Sequence, residues 1–197
     1  MPGYTRRAPR HHSGFTLIEL LVVIAIGAIL LGVGLPNLQG FIVSNRLSAQ
    51  ANDLNTALQF ARSEALRRNT TVSLRRVESA GAGNWSDGWT VFTDSNANGS
   101  LDGTDEVLRI GPALPPPLTL HASANLANAV SFNGGGRSPQ SAGVFVLCHG
   151  DQLAVDGVPR SRLVLINASG RVRMGTDSDH DGVPETDTGA AGSCTQP

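Results

Sequence analysis

The sequence contains no lysine, so its 15 basic residues are all arginines, and 16 acids outnumber them for a net charge of −1. A chain with this balance is not a simple basic nucleic-acid binder. It also has no Gly-x-Ser-x-Gly elbow, no phosphate-binding loop and no Cys-x-x-Cys pair, which are motifs of common enzymes and redox sites. We therefore expect no catalytic activity and no required cofactor.

Cysteine is scarce, because Cys148 and Cys194 are the only two. In an exported domain, which lies in an oxidising compartment, the two thiols are expected to form a disulfide. The bond would close a loop of about 45 residues and tether the end of the chain. The alternative is two unpaired thiols.

A single carboxylate, Glu19, stands near the start of an apolar run from Phe15 to Leu35, where Thr16 is the only other strongly polar side chain. As a helix the run is about 30 Å long, the thickness of a bilayer's hydrocarbon core. A carboxylate there is costly and is read as functional. The preceding residues carry three arginines and no acid, which keeps them on the cytoplasmic side. The run predicts one membrane-spanning helix, residues 15–35.

Two cleavage sites are conceivable around this run. A secretory signal is cut after its apolar core, and Gly32-Val33-Gly34 offers a small-x-small site, which would release an exported binding protein. A core interrupted by Glu19 is a poor secretory signal, however. A cut between Gly14 and Phe15 would instead leave the helix on the mature protein, with 12 arginines against 16 acids and a net charge of −4.

The string Gly-Phe-Thr-Leu-Ile-Glu-Leu, residues 14–20, resembles the processing site of type IV prepilins and pseudopilins. The resemblance implies that residues 1–14 are a leader, that a prepilin peptidase cuts after Gly14, and that Phe15 becomes N-methylated. It also implies that Glu19 pairs with the N-terminal amine of a neighbouring subunit in a filament. Such charges are tolerable in apolar surroundings only as a pair. The implied location is the bacterial inner membrane, with the C-terminal domain in the periplasm.

A second helical segment is predicted over residues 36–69. Pro36 should kink the helix or open it locally, because proline removes one backbone donor. Apolar residues then recur at spacings of three and four, which indicates an amphipathic helix that packs on the chain's own sheet or on a partner helix. These residues are Leu47, Ala51, Leu54, Leu58, Ala61 and Ala65. The helix is expected to end at Arg68–Asn69, where asparagine can adopt a left-handed cap.

Residues 70–197 are expected to form one β-rich domain, because short strand patterns alternate with Gly, Asn, Asp and Pro. The predicted strands are 71–77, 88–93, 106–110, 118–121, 129–133, 143–148, 161–167 and 170–174. Strands 143–148 and 161–167 are apolar on both faces and should be central. The chain from Gly175 onward is expected to be irregular. A long helix backed by antiparallel strands is an α+β architecture.

Motifs in this domain resemble the GspH/FimT family of minor pilins and H-type minor pseudopilins. They are Ala61-Arg62-Ser63-Glu64-Ala65, Gly88-Trp89-Thr90-Val91-Phe92, Leu147-Cys148 and Gly170-Arg171-Val172-Arg173. The resemblance covers nearly the whole chain. It implies a pilin-like fold and a low-copy subunit that helps to start a filament, in a type IV pilus or in a type II secretion system. Some pilus-associated members bind DNA through arginines of the Gly-Arg-x-Arg motif.

Four arginines are candidates for DNA binding. Arg171 and Arg173 lie two residues apart, so on a strand they project from one face, and Arg160 and Arg162 repeat the spacing. Together they could contact four phosphates, giving salt-sensitive binding without sequence preference. No aromatic stacking platform accompanies them, so base readout is not expected. The alternative is a solvated strand face, or arginines paired with local acids.

Two acidic loops share the alternating oxygen-ligand pattern of calcium loops. The ligand positions are Asp94, Asn96 and Asn98 in the first loop, and Asp177, Asp179, Asp181 and Glu185 in the second. The first loop lies between predicted strands and is expected to be a plain connection rather than a metal site. The second has three alternating carboxylates with no neighbouring counter-charge, so Ca²⁺ binding and an empty loop stay open alternatives there.

Overall fold

The computed structural model describes residues 14–78, 84–138, 143–186 and 189–195, and the side chains of residues 33–38 and 190 lie outside that description. The predicted leader, residues 1–14, therefore falls outside it except for Gly14. The chain divides into two compact units, Met1–Gly40 and Phe41–Pro197.

One long helix, α1, runs from Leu17 to Arg68. It is continuous through Pro36, so the predicted local opening is not observed. The helix ends where the sequence predicts: Asn69 adopts a left-handed conformation with φ of 52°. The amide of Thr70 donates to the carbonyl of Ala65 at 3.3 Å, which satisfies a carbonyl that the helix end leaves without a partner.

The first half of α1 presents an apolar surface. All residues from Leu17 to Gly32 are exposed except Gly27, which is half-buried. Within the described residues, no helix is both long enough and apolar enough to cross a membrane. The predicted spanning segment, residues 15–35, extends into positions 33–35, whose side chains are among those not described.

In the described part of the chain, twelve strands follow the helix. They are β1 (Val72–Arg76), β2 (Trp89–Thr93), β3 (Val107–Gly111), β4 (Leu118–Ala122), β5 (Ala129–Phe132), β6 (Gly143–His149), β7 (Ala154–Val155), β8 (Val158–Pro159), β9 (Ser161–Ile166), β10 (Val172–Met174), β11 (Glu185–Thr186) and β12 (Gly189–Ala190). The first sheet has the order β3-β2-β1-β5 and the second β10-β9-β6-β4, while β7–β8 and β11–β12 are two-stranded ribbons. All eight predicted strands are present within one or two residues at each end, and β6 and β9 are central as expected.

The helix and the inner faces of both sheets share one hydrophobic core. The predicted stripe of α1 supplies its helical part, and each of these side chains is almost fully buried: Leu47, Ala51, Leu54, Leu58, Ala61 and Ala65. The interpretation that the stripe packs on the chain's own sheets is therefore confirmed. Because burial on one side of a helix imposes a repeat of three to four residues, the sequence carried this information.

The outer face of the second sheet is covered by the end of the chain. Ala191 and Cys194 are buried there against Val146, Leu163 and Leu165. The predicted disulfide between Cys148 and Cys194 is present, with a Cα–Cα distance of 5.9 Å. The prediction of an irregular segment after Gly175 was wrong at its end, because β11 and β12 pair as a ribbon and Ala191 and Cys194 pack on the second sheet.

Candidate functional site

The predicted processing residues form a short exposed segment ahead of α1. Gly14 and Phe15 are exposed, Phe15 to 82%. Thr16 directly precedes α1, and its Oγ1 accepts a hydrogen bond from the Glu19 amide at 3.3 Å, as an N-cap residue does. Glu19 is exposed in the first turn, where the helix dipole favours a negative charge. Gly14, Phe15 and Glu19 are thus all exposed in the described part of the chain.

Arg171 and Arg173 lie on the outer face of the second sheet. Arg173 is paired opposite Leu165, which belongs to the outer cluster. Both arginines line one small surface hollow. Gly170 before them has φ of 78°, and a Cβ there would lie 2.1 Å from the carbonyl oxygen of Gly136. The fold therefore requires a glycine at position 170 whether or not the motif binds DNA, because the two turns approach each other closely there.

Arg160 and Arg162 do not join that face. Alternation along β9 places Arg162 opposite Leu147, on the face that packs against α1. Its guanidinium donates to Ser44 Oγ at 2.8 Å, Ser48 Oγ at 3.3 Å and the Ser161 carbonyl at 2.8 Å. Burial lowers the pKa of Arg162 from its usual value. Arg160 has a buried Nε with no hydrogen-bond partner in the described parts of the chain. The four predicted arginines are thus divided between two faces.

The first acidic loop is bound to the first sheet by its own hydrogen bonds. Asp94 is buried, and its carboxylate accepts from Ser73 Oγ at 2.6 Å and from the Asn98 and Gly99 amides at 3.0 and 2.9 Å. The Asn96 side chain donates to the Asp102 carboxylate at 2.9 Å. The oxygen atoms that the pattern offered to a cation therefore take part in hydrogen bonds within the loop and to the first sheet, and the expectation of a plain connection stays a prediction.

The second acidic loop gathers three carboxylates. Ligand atoms of Asp177, Asp179 and Glu185 lie within 4.8 Å of one another. Asp181 is outside this group, and its carboxylate accepts from the Val183 amide at 2.7 Å. The amide of Ser178 donates to Glu185 and is the main cause of the lowered pKa of that carboxyl. Calcium binding here stays a prediction, which calorimetry at millimolar calcium tests.

A cleft that sequence reasoning did not predict lies between α1, the end of β3 and the second sheet; we name it the helix–sheet cleft. Its volume is about 110 Å³. Trp85 and Phe145 meet edge to face in its wall, with ring centroids 4.8 Å apart. The Trp85 indole donates to the Leu126 carbonyl at 3.1 Å. The available signal was that Trp85 and Trp89, four residues apart, are the chain's only tryptophans.

Trp89 forms the other aromatic part of this cleft and carries an arginine. The Arg109 guanidinium lies over the Trp89 ring, 5.4 Å from its centroid, as in a cation–π contact. Among the described residues the Arg109 side chain makes no hydrogen bond and no ion pair. Gly111 permits this packing, because a Cβ there would lie 2.1 Å from the Trp89 indole. The cleft therefore combines an apolar interior with an unpaired cation.

Two known family models match the chain. The model described as "Type II transport protein GspH" matches residues 50–170, from the buried half of α1 to the turn before β10. The chain belongs to the GspH family. A second model, the prokaryotic N-terminal methylation motif, matches residues 9–35, which include Gly14, Phe15 and Glu19. The resemblance inferred from the sequence is confirmed.

Two known proteins are similar to this GspH-family chain. The pilin-like protein PilA1 of Thermus thermophilus is 43% identical over 95 residues, covering 47% of this chain and 55% of PilA1. The chain thus spans about half the length of this curated relative. The type IV minor pilin FimU of Pseudomonas aeruginosa PAO1 is 24% identical, with a TM-score of 0.57 over 78% of this chain and 98% of FimU. A second crystal form of FimU gives 0.53. The likeness confirms the predicted pilin-like α+β fold.

Proposed function

We propose that this GspH-family chain is a minor pilin or pseudopilin, cut by a prepilin peptidase after Gly14 and assembled into a filament through α1. One observation carries the proposal: the matched methylation motif, residues 9–35, includes the start of α1, and the described first half of that helix is apolar and exposed. A surface of this kind on a single chain indicates contact with a membrane or with other subunits. The arginines before the motif support an inner-membrane anchor with the folded domain in the periplasm.

Glu19 supplies the specific contact in this proposal, pairing with the amine that cleavage creates on a neighbouring subunit. Glu19→Gln keeps the size of the side chain and removes its charge. We expect normal cleavage of this variant but at least a tenfold loss from the sheared filament fraction, measured by immunoblotting. Asp53→Asn, an exposed acid on the same helix, is the matched control and should assemble normally. Equal recovery of both variants would contradict the role of Glu19.

A type IV pilus is the first candidate for the filament, supported by the PilA1 and FimU likenesses. A type II secretion pseudopilus is the second, because the matching family model is described as a type II transport protein. Deleting the gene separates the two. Loss of surface pili with normal protein secretion supports the first, and accumulation of secreted proteins in the periplasm with normal pili supports the second.

If the filament is a type IV pilus, we propose that the chain also binds DNA through Arg171 and Arg173. Two phosphate contacts give a slope of about −1.8 in log affinity against log salt concentration. The double variant Arg171→Ala, Arg173→Ala should lose this slope and most of the affinity in a fluorescence-anisotropy titration with duplex DNA. Arg46→Ala, an exposed arginine on α1, is the control. DNA affinity that survives in the double variant would remove this function from the Gly-Arg-x-Arg motif.

A further inference from the structure

We propose that the helix–sheet cleft binds the carboxyl terminus of a partner protein whose last residue is apolar. The proposal does not depend on Gly14, Phe15, Glu19, Arg171 or Arg173, so it stands or falls apart from the proposed function. Its basis is the shape of the cleft, the charge at its wall and the edge of β3 that pairs with no other described strand.

The cleft has room for one apolar side chain. Its volume of about 110 Å³ is somewhat below that of the engineered cavity of ~150 Å³ that accepts benzene in another protein. The interior surface comes from Leu54, Trp85, Trp89 and Phe145. Filling it with a branched aliphatic group removes apolar surface from water and adds contacts with aromatic rings.

The charge of the lining favours an anion. Arg109, Arg162 and the exposed Asp53 are its charged residues. Each guanidinium nitrogen of Arg162 already donates to the chain itself, to two serine hydroxyls and one carbonyl. Arg109 is held against Trp89 with no such partner among the described residues, and Asp53 forms no ion pair with it there. A guanidinium positioned in this way can bind a carboxylate through two parallel hydrogen bonds.

A chain terminus supplies the apolar group and the carboxylate on one residue. An internal acid next to an apolar residue does not, because successive side chains of an extended segment point to opposite faces. β3 is the last strand of the first sheet, so its outer edge offers backbone groups to an incoming strand. Ile110 on this strand borders the cleft and is 68% exposed. The geometry points to a terminal leucine or a residue of similar size.

Tryptophan fluorescence tests the proposal directly, because both tryptophans of the chain line the cleft. The purified full-length chain is titrated with the dipeptide acetyl-Gly-Leu bearing a free carboxylate, and with the same dipeptide as the carboxamide. We expect a saturable emission change with the acid and at least tenfold weaker binding of the amide. Because the full-length chain is kept in detergent, the amide also serves as the control for peptide that partitions into micelles. Equal affinity for acid and amide, or no saturable change with the acid, overturns the proposal.

Two variants locate the binding. Arg109→Gln should weaken the acid at least tenfold and leave the amide unchanged, whereas Arg46→Gln, on an exposed part of α1, should change neither. Far-ultraviolet circular dichroism confirms that both variants are folded. Unchanged affinity of folded Arg109→Gln for the acid overturns the assignment of this cleft. Leader cleavage and filament assembly are measured separately and are unaffected by either result.

Discussion

Glu64 connects the end of α1 to the chain around it through charge. Its carboxylate accepts hydrogen bonds from Arg67 at 2.5 Å and from Arg68 at 2.8 Å, and Arg68 also pairs with Glu106 at 2.5 Å. These bonds, with that from Arg67 first, lower the pKa of Glu64 from 4.5 to about 2. The network thus ties the last turn of the helix to the residue that precedes β3.

The lowered pKa predicts a specific acid sensitivity. Because the folded-state pKa lies below the unfolded one, the charged carboxylate contributes stability above about pH 4.5, and this contribution is lost as the pH falls toward 2. Glu64→Gln should cost about 1 kcal/mol at pH 7, the upper range of an exposed pair, and flatten this pH dependence. Urea denaturation at several pH values measures both effects. An unchanged slope between pH 4.5 and 2 would contradict the prediction, and Asp53→Asn is the control.

Individual residues could be given a role from the sequence where the motif is local. Gly14, Phe15 and Glu19 lie within one seven-residue string, residues 14–20, and the roles assigned to them stay predictions. Asp94 was not interpretable in this way, because the Ser73 hydroxyl that it binds lies 21 residues away. Arg109 gave no signal either, since its position over Trp89 depends on the pairing of β2 with β3.

Secondary-structure elements were predicted well wherever one face is buried. The stripe of α1 and the eight main strands have a repeat that burial imposes on the sequence. The ribbons β7–β8 and β11–β12 were missed because two-residue strands are too short to show any repeat. The division of Arg162 and Arg173 between faces was missed for another reason: register between strands is a tertiary property that the spacing within one strand does not contain.

The helical stripe leads to a matched pair of substitutions on one element. Leu58 is 0% exposed and Leu66 is 50% exposed, although both are leucines on the same helix. Leu58→Ala should lower the free energy of unfolding by about 2–5 kcal/mol, because it leaves a cavity between α1 and the sheets. Leu66→Ala should cost less than about 1 kcal/mol. Urea denaturation of the two variants measures the difference, and equal losses would contradict the assigned helix face.

At the scale of the molecule, the end of the chain completes the fold. The second sheet has apolar residues on both faces, with α1 covering one and the segment that carries Cys194 covering the other. The two-faced pattern of β6 and β9 was visible in the sequence and predicted that both strands are central, but it did not predict what covers the outer face. The source of this cover was not visible, because residues after Gly175 contain few apolar side chains and only the disulfide holds them to Cys148 by a covalent bond.

Removing the disulfide should expose the outer face of the second sheet. The double variant Cys148→Ala, Cys194→Ala opens a loop of 46 residues and should lose about 2–4 kcal/mol of unfolding free energy. Limited proteolysis should then cut the chain after Gly175 first, while the core around α1 stays protected. Reduction of the native chain should reproduce both effects. Unchanged stability and protease resistance in the variant would show that the tail is held by its packing alone.

The central claim is that the apolar first half of α1 stays on the mature protein and carries Glu19 into a filament. Mass spectrometry of the N-terminal peptide from the exported protein tests it most directly. The account predicts a chain that starts at Phe15 and carries one additional methyl group on its amine. A chain that starts after Gly34, or one that keeps residues 1–14 after export, would contradict it.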